Sequence, residues 1–415
     1  MKKFIIISIA VIILFKIVLS ILSYRGDNSP ELYGDLLKYF SHEDIIKGEI
    51  YARSGFLVSA AKSLILPIFM VMLAFTSLSK KIEDVCFSIA RRREFFASIL
   101  YIAVIYSILT IILLPFDFHL SYTLEHRFNF SNMTAQFWFI TKLKSFIIML
   151  TFISLTGALF LSAIKKFKIY SLFIVPVAGL IIGLFMIMIY PIAILPIFYD
   201  IKSIDNPGLE RKILSLTQRA DIKVDNIYVI KASDYSKHTN AFFVGFGSRK
   251  KIYLYDTLLK NNSDPEIISI LAHEIGHWVY DHNLKGIILG FILYLSVFTA
   301  IYFCVTKYLI ESEGSTERIY NPSMIPIYLL FFIIFANITN PIEMIVSRKM
   351  EINADIYSLS MTDDPDTFIS SNIKLAKDNS SRLNVNKIAA FFRRSHPTAI
   401  ERIKIGERYK ERRFY

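Results

Sequence analysis

The amino-acid sequence predicts a mainly α-helical membrane protein: a bundle of seven transmembrane helices with an inserted α+β unit and a helical C-terminal tail. The chain of 415 residues is 54% hydrophobic and has a mean hydropathy of +0.46, values that are typical of integral membrane proteins. Seven apolar runs are long enough to cross a hydrocarbon core of about 30 Å, and they lie at about residues 4–24, 56–78, 95–117, 145–164, 170–195, 285–309 and 323–346.

These runs divide the chain into four parts. Residues 1–196 contain the first five membrane helices with their loops, and residues 283–346 contain the last two. Between them, residues 197–282 have the mixed pattern of a water-soluble α+β unit, whereas residues 347–415 form a polar, helical tail. Because two membrane crossings separate the unit from the tail, we expect both to lie on the same side of the membrane.

The inserted unit combines a surface helix with short strands. Residues 210–220 have the pattern of a surface helix. Residues 226–230, 242–247 and 251–255 are rich in β-branched and aromatic residues, which predicts three strands. The segment Ser248-Arg249-Lys250 predicts a basic turn between the last two strands.

The net charge of +12 does not indicate a nucleic-acid-binding protein. Basic loops are expected beside membrane helices, and we find no nucleic-acid-binding motif. The short basic loops at 79–94 and 165–168 lie on the face opposite the inserted unit, so the positive-inside rule places them in the cytoplasm. Cys86 and Cys304 lie in or near apolar segments far apart in the chain, which favours buried thiols over a disulfide.

The segment Leu271–Trp278 contains an H-E-x-x-H motif. Residues four apart share one face of a helix, so His273 and His277 can bind one zinc ion that also takes a third protein ligand and a water. Glu274 would then take a proton from that water. The alternative, an ordinary polar helix face, would bury three ionisable groups among apolar residues at a cost of several kcal/mol. The segment Ser263–Glu266 predicts where this helix starts.

The tail offers a candidate third ligand in the segment Ser347–Asp355. Glu351 and Asp355 are four residues apart on a predicted helix, and a carboxylate suits zinc as a third ligand. Spacing alone slightly favours the alternative, a pair of solvent-facing helix charges, because such pairs are common.

Taken together, these motifs resemble the CAAX prenyl protease 1 family, whose members are membrane zinc endopeptidases with seven transmembrane helices. The resemblance covers about residues 120–405, and its motifs occur in the order that the family shows. The matching segments are Leu124–Phe130, Pro196–Phe198, Ser236–Gly247, Tyr255–Leu259, His273–His277, Ser347–Asp355 and Ser395–Arg402.

The resemblance implies a role for several residues. Glu351 becomes the third ligand of a single zinc ion, and Asp355 orients a ligand histidine. An edge strand that carries Asn240, Ala241 and Phe242 pairs with the backbone of the substrate. The membrane helices enclose a chamber with the zinc at its mouth, which suits a lipid-modified substrate because a prenyl chain prefers an apolar wall.

His396 and Arg402 belong to the last of the matching segments. Alone, His396 indicates a surface histidine in a turn or extended loop, since it precedes Pro397. The resemblance places it near the zinc, where three protein ligands and the water already fill the positions. We therefore expect His396 to donate a hydrogen bond to the oxyanion that develops on the scissile carbonyl, and Arg402 to brace the loop through a carboxylate.

The sequence thus predicts a multi-pass membrane zinc metalloendopeptidase that hydrolyses peptide bonds near the C-terminus of prenylated substrates. Two alternatives stay open: a membrane quality-control metalloprotease, whose relatives usually have fewer spans, and a non-enzymatic seven-helix receptor or transporter, which has no use for the motif. We expect a monomer that lies in the endoplasmic reticulum membrane of a eukaryote or the inner membrane of a bacterium. The family places the metal side in the cytosol, opposite to the positive-inside expectation.

Overall fold

A computed structural model describes residues 1–246 and 249–412 of the chain. Prolines occur inside several of the long helices of the first half; Pro115, for example, lies inside the helix that ends at Phe118, and a π-helical turn at His119–Thr123 follows. The helices of this half are α1 (Lys2–Arg25), α2 (Pro30–Leu36), α3 (His42–Ser54), α4 (Phe56–Phe75), α5 (Leu78–Ile89), α6 (Glu94–Phe118), α7 (Leu124–Arg127), α8 (Ala135–Phe167), α9 (Ser171–Ile189) and α10 (Leu195–Phe198).

The described residues contain 6 helical segments that are long and apolar enough to cross a membrane. The longest, Ala135–Phe198, covers 64 residues and contains both α8 and α9, which a 3-10 turn at Lys168–Tyr170 separates. The predicted class, a mainly helical multi-pass membrane protein with a small inserted sheet, is confirmed. The count of seven membrane helices and the chamber stay predictions.

The sheet of the inserted unit has four strands: β1 (Ile201–Ser203), β2 (Val224–Ile230), β3 (Ala241–Phe246) and β4 (Arg249–Tyr255), in the order β1-β2-β4-β3. β2 runs parallel to β4, whereas β1 and β3 are antiparallel to their neighbours. The three predicted strands are present. β1 was not predicted, because 3 residues are too few to show an alternating pattern. Gly247, the predicted end of a strand, and Ser248, the first residue of the predicted turn, lie outside the described residues. Arg249 and Lys250 were predicted in the turn but begin β4.

Eight further helices complete the structure. The predicted surface helix is α11, which begins three residues earlier than expected, at Pro207 after an Asn206 cap whose side chain accepts a hydrogen bond from the Leu209 N–H. Both cysteines are free thiols. The helices are α11 (Pro207–Arg219), α12 (Asp256–Asn261), α13 (Asp264–Val279), α14 (His282–Glu313), α15 (Ile325–Thr362), α16 (Pro365–Asp378), α17 (Lys387–Arg393) and α18 (Ala399–Arg412).

Helix α15 is continuous over 38 residues, about 57 Å at 1.5 Å per residue. The boundary that the sequence suggested, between a membrane helix ending at residue 346 and a separate tail, falls inside it. The sequence between residues 342 and 362 contains no proline or glycine that would end a helix. As a result, one rigid element extends from the apolar helices to the segment that carries Glu351 and Asp355.

Helix α13 lies between the sheet and α15. Its apolar face packs against strands β2 to β4 and against α11, and this packing fixes the side of α13 that is left for polar residues. The fully buried residues of this core include Ile213, Ile252, Leu254, Ile267, Leu271 and Ile275.

Candidate metal centre

The H-E-x-x-H motif lies on α13, and its helix starts as the sequence predicts. Ser263 and Glu266 form a capping box in which the Ser263 N–H donates to the Glu266 carboxylate at 2.8 Å. Each partner satisfies a backbone N–H that the first turn leaves free. The start of the helix fixes its rotation, so the motif faces α15 rather than the sheet.

Helices α13 and α15 cross closely, and Gly276 makes this possible. A Cβ atom built on Gly276 would lie 3.0 Å from Cα of Ala354 and 3.1 Å from Cβ of Tyr357. One turn away, the buried hydroxyl of Ser358 donates to the carbonyl of Ser269 at 2.7 Å. The glycine between the two histidines therefore serves the helix crossing, a role that the motif alone does not reveal.

The crossing brings together the three predicted zinc ligands. Nε2 of His273 lies 3.2 Å from Nε2 of His277. Oε2 of Glu351 lies 3.3 Å from Nε2 of His273, and Oε1 of Glu351 lies 3.5 Å from Nε2 of His277. Ligand atoms bound about 2.0–2.1 Å from a tetrahedral zinc ion are themselves about 3.3 Å apart. The two histidine nitrogens and the Glu351 carboxylate thus have the chemistry of a zinc-binding set, and one ligand atom from each residue lies within 4.8 Å of the other two.

The buried ring of His273 is held by a carboxylate behind it. Its Nδ1 donates to Oδ1 of Asp355 at 2.8 Å, which leaves Nε2 with a lone pair toward the centre. Asp355 is fully buried, and the Nε of Arg402 donates to its Oδ2 at 2.9 Å. Burial alone would lower the pKa of His273, but the hydrogen bonds to Asp355 and Glu351 outweigh it and raise the pKa to about 9. The surroundings therefore favour positive charge at this point, which a zinc ion bound at Nε2 would supply in place of a proton.

His277 has a partner that the sequence did not indicate. Its Nδ1 lies 3.1 Å from Nδ1 of His282, a buried residue at the start of α14. Asp281 adopts a left-handed backbone with φ of 52°, and this turn carries His282 back over the end of α13. Burial, with the neighbouring His273, lowers the pKa of His277 to about 4, so its imidazole is neutral, as a metal ligand must be.

Glu274 and His396 line the same cleft, with a volume of about 820 Å³, as the three ligands. Burial raises the pKa of Glu274 above its usual range, and the adjacent His273 partly opposes this. The imidazole of His396 is 64% exposed, and its Nε2 lies 3.2 Å from Oε1 of Glu351. The loop at residues 394–398 thus brings His396 to the centre, and the carboxylate that Arg402 contacts is that of Asp355.

The predicted substrate strand borders the cleft. Ala241 and Phe242 belong to β3, which is an edge strand of the sheet, and Asn240 precedes its first residue. All three residues line the cleft. The Asn240 side chain accepts a hydrogen bond from the Ala241 N–H at 2.9 Å, and the Asn240 carbonyl accepts one from Tyr255 at 3.0 Å. The edge of β3 that faces away from β4 is therefore positioned beside the metal centre.

The sequence of the chain is similar to those of known membrane peptidases. A family model for peptidase family M48 matches residues 203–408, and a model described as CAAX prenyl protease N-terminal, five membrane helices, matches residues 30–200. CAAX prenyl protease 1 of Saccharomyces cerevisiae is 30% identical over 74% of this chain and 71% of its own length. An uncharacterized metalloprotease of Bacillus subtilis is 30% identical over 82% of this chain and 80% of its own.

The fold also matches a solved structure. The crystal structure of S. mikatae Ste24p superposes with a TM-score of 0.85 at 24% identity, and the match covers 97% of this chain and 98% of that one. The architecture, the M48 match and the relatives agree on a multi-pass membrane protein with a metal-dependent peptidase centre. The chain belongs to the CAAX prenyl protease 1 family of membrane zinc metalloendopeptidases.

Proposed function

We propose that this protein hydrolyses a peptide bond near the C-terminus of a prenylated substrate, at one zinc ion held by His273, His277 and Glu351. The observation that carries the proposal is the convergence of Nε2 of His273, Nε2 of His277 and the Glu351 carboxylate, with distances of 3.2 to 3.5 Å between each pair of residues, in a cleft that also contains an acidic side chain and an edge strand. These are the parts that hydrolysis of an extended peptide needs.

Each side chain then has a task in the reaction. A zinc ion bound here would polarise the scissile carbonyl and make water a stronger nucleophile. Glu274 accepts the proton of the attacking water and passes it to the leaving amine. The raised pKa of its carboxyl suits both steps, because a group that accepts and then donates works best with a pKa near the working pH. His396 donates a hydrogen bond to the oxyanion.

Asp355 and Arg402 act on the zinc ligands rather than on the substrate. Asp355 fixes the tautomer and the direction of the His273 ring, as outer carboxylates commonly do in zinc sites. The guanidinium of Arg402 compensates the buried negative charge of Asp355, which would otherwise be costly. Arg402 thereby supports the centre from behind.

The substrate would bind as an added strand. Asn240, Ala241 and Phe242 lie where backbone groups of β3 can pair with an extended peptide across the cleft. Main-chain pairing tolerates many side chains and leaves the position of cleavage to be set by other contacts.

The membrane helices suit a lipid-modified substrate. Lys62 and Lys142 both pair with Asp117, and these residues lie on α4, α8 and α6. Charges within membrane segments face a bundle interior or a water-filled cavity, and the three side chains keep 24–36% exposure. This cluster supports an open chamber between the helices. The S. cerevisiae relative is named a CAAX prenyl protease, and we extend that substrate class to this chain.

The test is cleavage of a farnesylated C-a-a-X peptide and its unprenylated twin by the purified protein in bilayers. We expect a released a-a-X tripeptide by mass spectrometry, faster release from the farnesylated peptide, and none from a zinc-depleted sample or from Glu274→Gln. Equal rates of cleavage for both peptides would show that the enzyme does not recognise the prenyl chain. Cleavage of unfolded membrane proteins but of neither peptide would favour a quality-control protease.

The oligomeric state, the membrane and the orientation of the protein are part of the same proposal. We propose a monomer in the endoplasmic reticulum membrane, or in the inner membrane if the source is a bacterium, with the metal side toward the cytosol. Cysteine accessibility scanning of residues 79–94 in intact cells tests the orientation, since these residues would then be labelled from outside the cytosol.

A further inference from the structure

Four arginines line the cleft of the metal centre. Arg402 pairs with Asp355, and the other three have no part in holding the metal. They are Arg382, Arg393 and Arg394. The acidic residues that line the same cleft are Glu274 and Glu351, which the metal and the reaction already employ. One end of the substrate cleft is therefore strongly positive.

Two of these arginines are fixed mainly by neutral groups. Arg393 donates to the hydroxyl of Ser20 at 2.8 Å and to the carbonyl of Lys16 at 3.2 Å. Arg382 donates to the backbone of α1, and its closest carboxylate oxygen, on Glu49, lies 3.7 Å away. Glu49 already pairs with Arg53 at 2.5 Å. The positive charge of these two guanidinium groups is therefore not balanced by a carboxylate in close contact.

Arg394 has no ion-paired carboxylate among the described residues. Within the described part of the chain, no carboxylate lies within ion-pair distance of its guanidinium, and no side chain accepts a hydrogen bond from it. The carboxylate that acts on it from further away is Glu401, and this group already accepts hydrogen bonds from the N–H and hydroxyl of Thr398 at 2.6 and 2.8 Å. A half-buried guanidinium without an anion is costly unless a ligand supplies one.

The position of Arg394 is also held firmly. Its carbonyl accepts a hydrogen bond of 2.6 Å from Arg348, which also donates to the carbonyls of Ala390 and Phe391. Two residues further on, His396 contacts Glu351, and two residues span at most about 7 Å. The free guanidinium is thus attached to the same short loop that reaches the metal centre.

We infer that Arg394, with Arg382 and Arg393 beside it, binds the C-terminal carboxylate of the peptide substrate; this inference rests on the proposed function. Arginine suits the planar, bidentate geometry of a carboxylate. An extended tripeptide spans about 10 Å, and a cleft of about 820 Å³ is within the usual range for a ligand of that size. By holding the C-terminal carboxylate, the arginines would determine which peptide bond lies at the metal centre.

The test compares two forms of one farnesylated peptide, a free acid and a C-terminal amide. For the natural chain we expect kcat/KM to be about 10- to 100-fold higher for the acid, the range of a lost charge-assisted hydrogen bond. In Arg394→Gln, kcat/KM for the acid peptide should fall to the value for the amide peptide, while kcat/KM for the amide peptide stays unchanged. Arg394→Lys should restore part of the preference. Arg211→Gln, on the surface of α11, is the matched control and should keep the full ratio.

A binding measurement separates this inference from the proposed function. Fluorescent acid and amide peptides are titrated into zinc-loaded Glu274→Gln, with and without Arg394→Gln. Tighter binding of the acid that Arg394→Gln abolishes supports the inference even if no peptide is cut, and that outcome would contradict only the proposed reaction. Equal affinity for the acid and amide peptides would overturn the inference that Arg394 binds the carboxylate. A preference for the acid that persists in Arg394→Gln would overturn it as well. The comparison of the two peptides on the unaltered protein stands even if the variant fails to fold.

Discussion

Asp355, on α15, accepts hydrogen bonds from two residues that lie far apart in sequence, Nδ1 of His273 at 2.8 Å and Nε of Arg402 at 2.9 Å. The carboxylate has no exposure to solvent. It therefore orients a proposed zinc ligand and neutralises a buried guanidinium at once. Its removal should affect both the metal and the fold, and the two effects can be measured separately.

The first prediction compares Asp355→Ala with Glu351→Ala. Asp355→Ala should destabilise the protein by about 3–5 kcal/mol, because it leaves Arg402 unpaired, and should weaken zinc binding about 10- to 100-fold. Glu351→Ala should lose more zinc affinity than this, since it removes a ligand, at a smaller loss of stability. Zinc titration and thermal unfolding on the same samples measure both. Equal zinc affinity in the two variants would show that the carboxylate roles are wrongly assigned.

The second prediction concerns Glu274→Gln. The change keeps the three ligand atoms in place, so zinc occupancy should match that of the natural chain. Hydrolysis should fall by at least about 10²-fold, because the amide cannot accept the proton of the attacking water. Metal analysis and kinetics on one preparation decide it. A zinc-loaded variant with normal turnover would contradict the role of Glu274.

The third prediction concerns His396→Ala. We expect full zinc occupancy, near-normal KM and a kcat lower by about 10²- to 10³-fold, the usual effect of removing one oxyanion donor. The exposure of the imidazole, 64%, makes a large loss of stability unexpected. Lost zinc would make His396 a ligand, and an unchanged kcat would leave it without a part in the reaction.

The fourth prediction tests the helix crossing. Gly276→Ala places a methyl group 3.0 Å from Cα of Ala354, so α13 and α15 must separate. The variant should lose about 1–3 kcal/mol of stability and bind zinc more weakly, since Glu351 moves away from the histidines. Gly290→Ala is the matched control, because a Cβ at Gly290 would meet no atom within 4 Å. Alanine favours a helix more than glycine does, so Gly290→Ala should lose no stability, and similar losses in both variants would contradict the role of the crossing.

The fifth prediction concerns pH. Nε2 of His238 lies 3.2 Å from the Glu125 carboxylate and its Nδ1 lies 2.8 Å from Oδ1 of Asn379. The hydrogen bond to Glu125 raises the pKa of His238, against the effect of burial. The contribution to stability is therefore complete below the unfolded pKa of about 6.5 and is lost as the pH rises through the folded value.

The pH prediction is checked with His238→Gln. Because His238 is about one-third exposed, we expect the natural chain to exceed the variant by no more than about 1 kcal/mol at pH 6, and by less at pH 9. Thermal unfolding at the two pH values measures the difference. A difference that is constant with pH would mean that the charge of His238 contributes nothing.

Local patterns in the sequence predicted a large part of the fold and of the candidate site. Apolar runs predicted the membrane helices, and the fixed geometry of a helix predicted that His273 and His277 share a face. Spacing alone could not choose between Glu351 and Asp355, because both lie on the same side of α15. The crossing at Gly276 resolves their positions: it brings Glu351 to the two Nε2 atoms and puts Asp355 behind the His273 ring.

Other features depend on contacts that no local pattern encodes. His282 meets His277 only because the left-handed residue Asp281 reverses the chain between two helices. The unpaired state of Arg394 is a property of its neighbours in space rather than of its sequence. The apolar pattern predicts too short a helix for α15, because the change from apolar to polar residues ends the membrane segment but not the helix.

The continuity of α15 has a consequence for biosynthesis. The histidines of α13 leave the ribosome first, Asp355 follows His273 by 82 residues, and Arg402 follows it by 129. The proposed third ligand, Glu351, also follows both histidines in the chain. The three ligands therefore cannot meet before α14 and most of α15 have been synthesised.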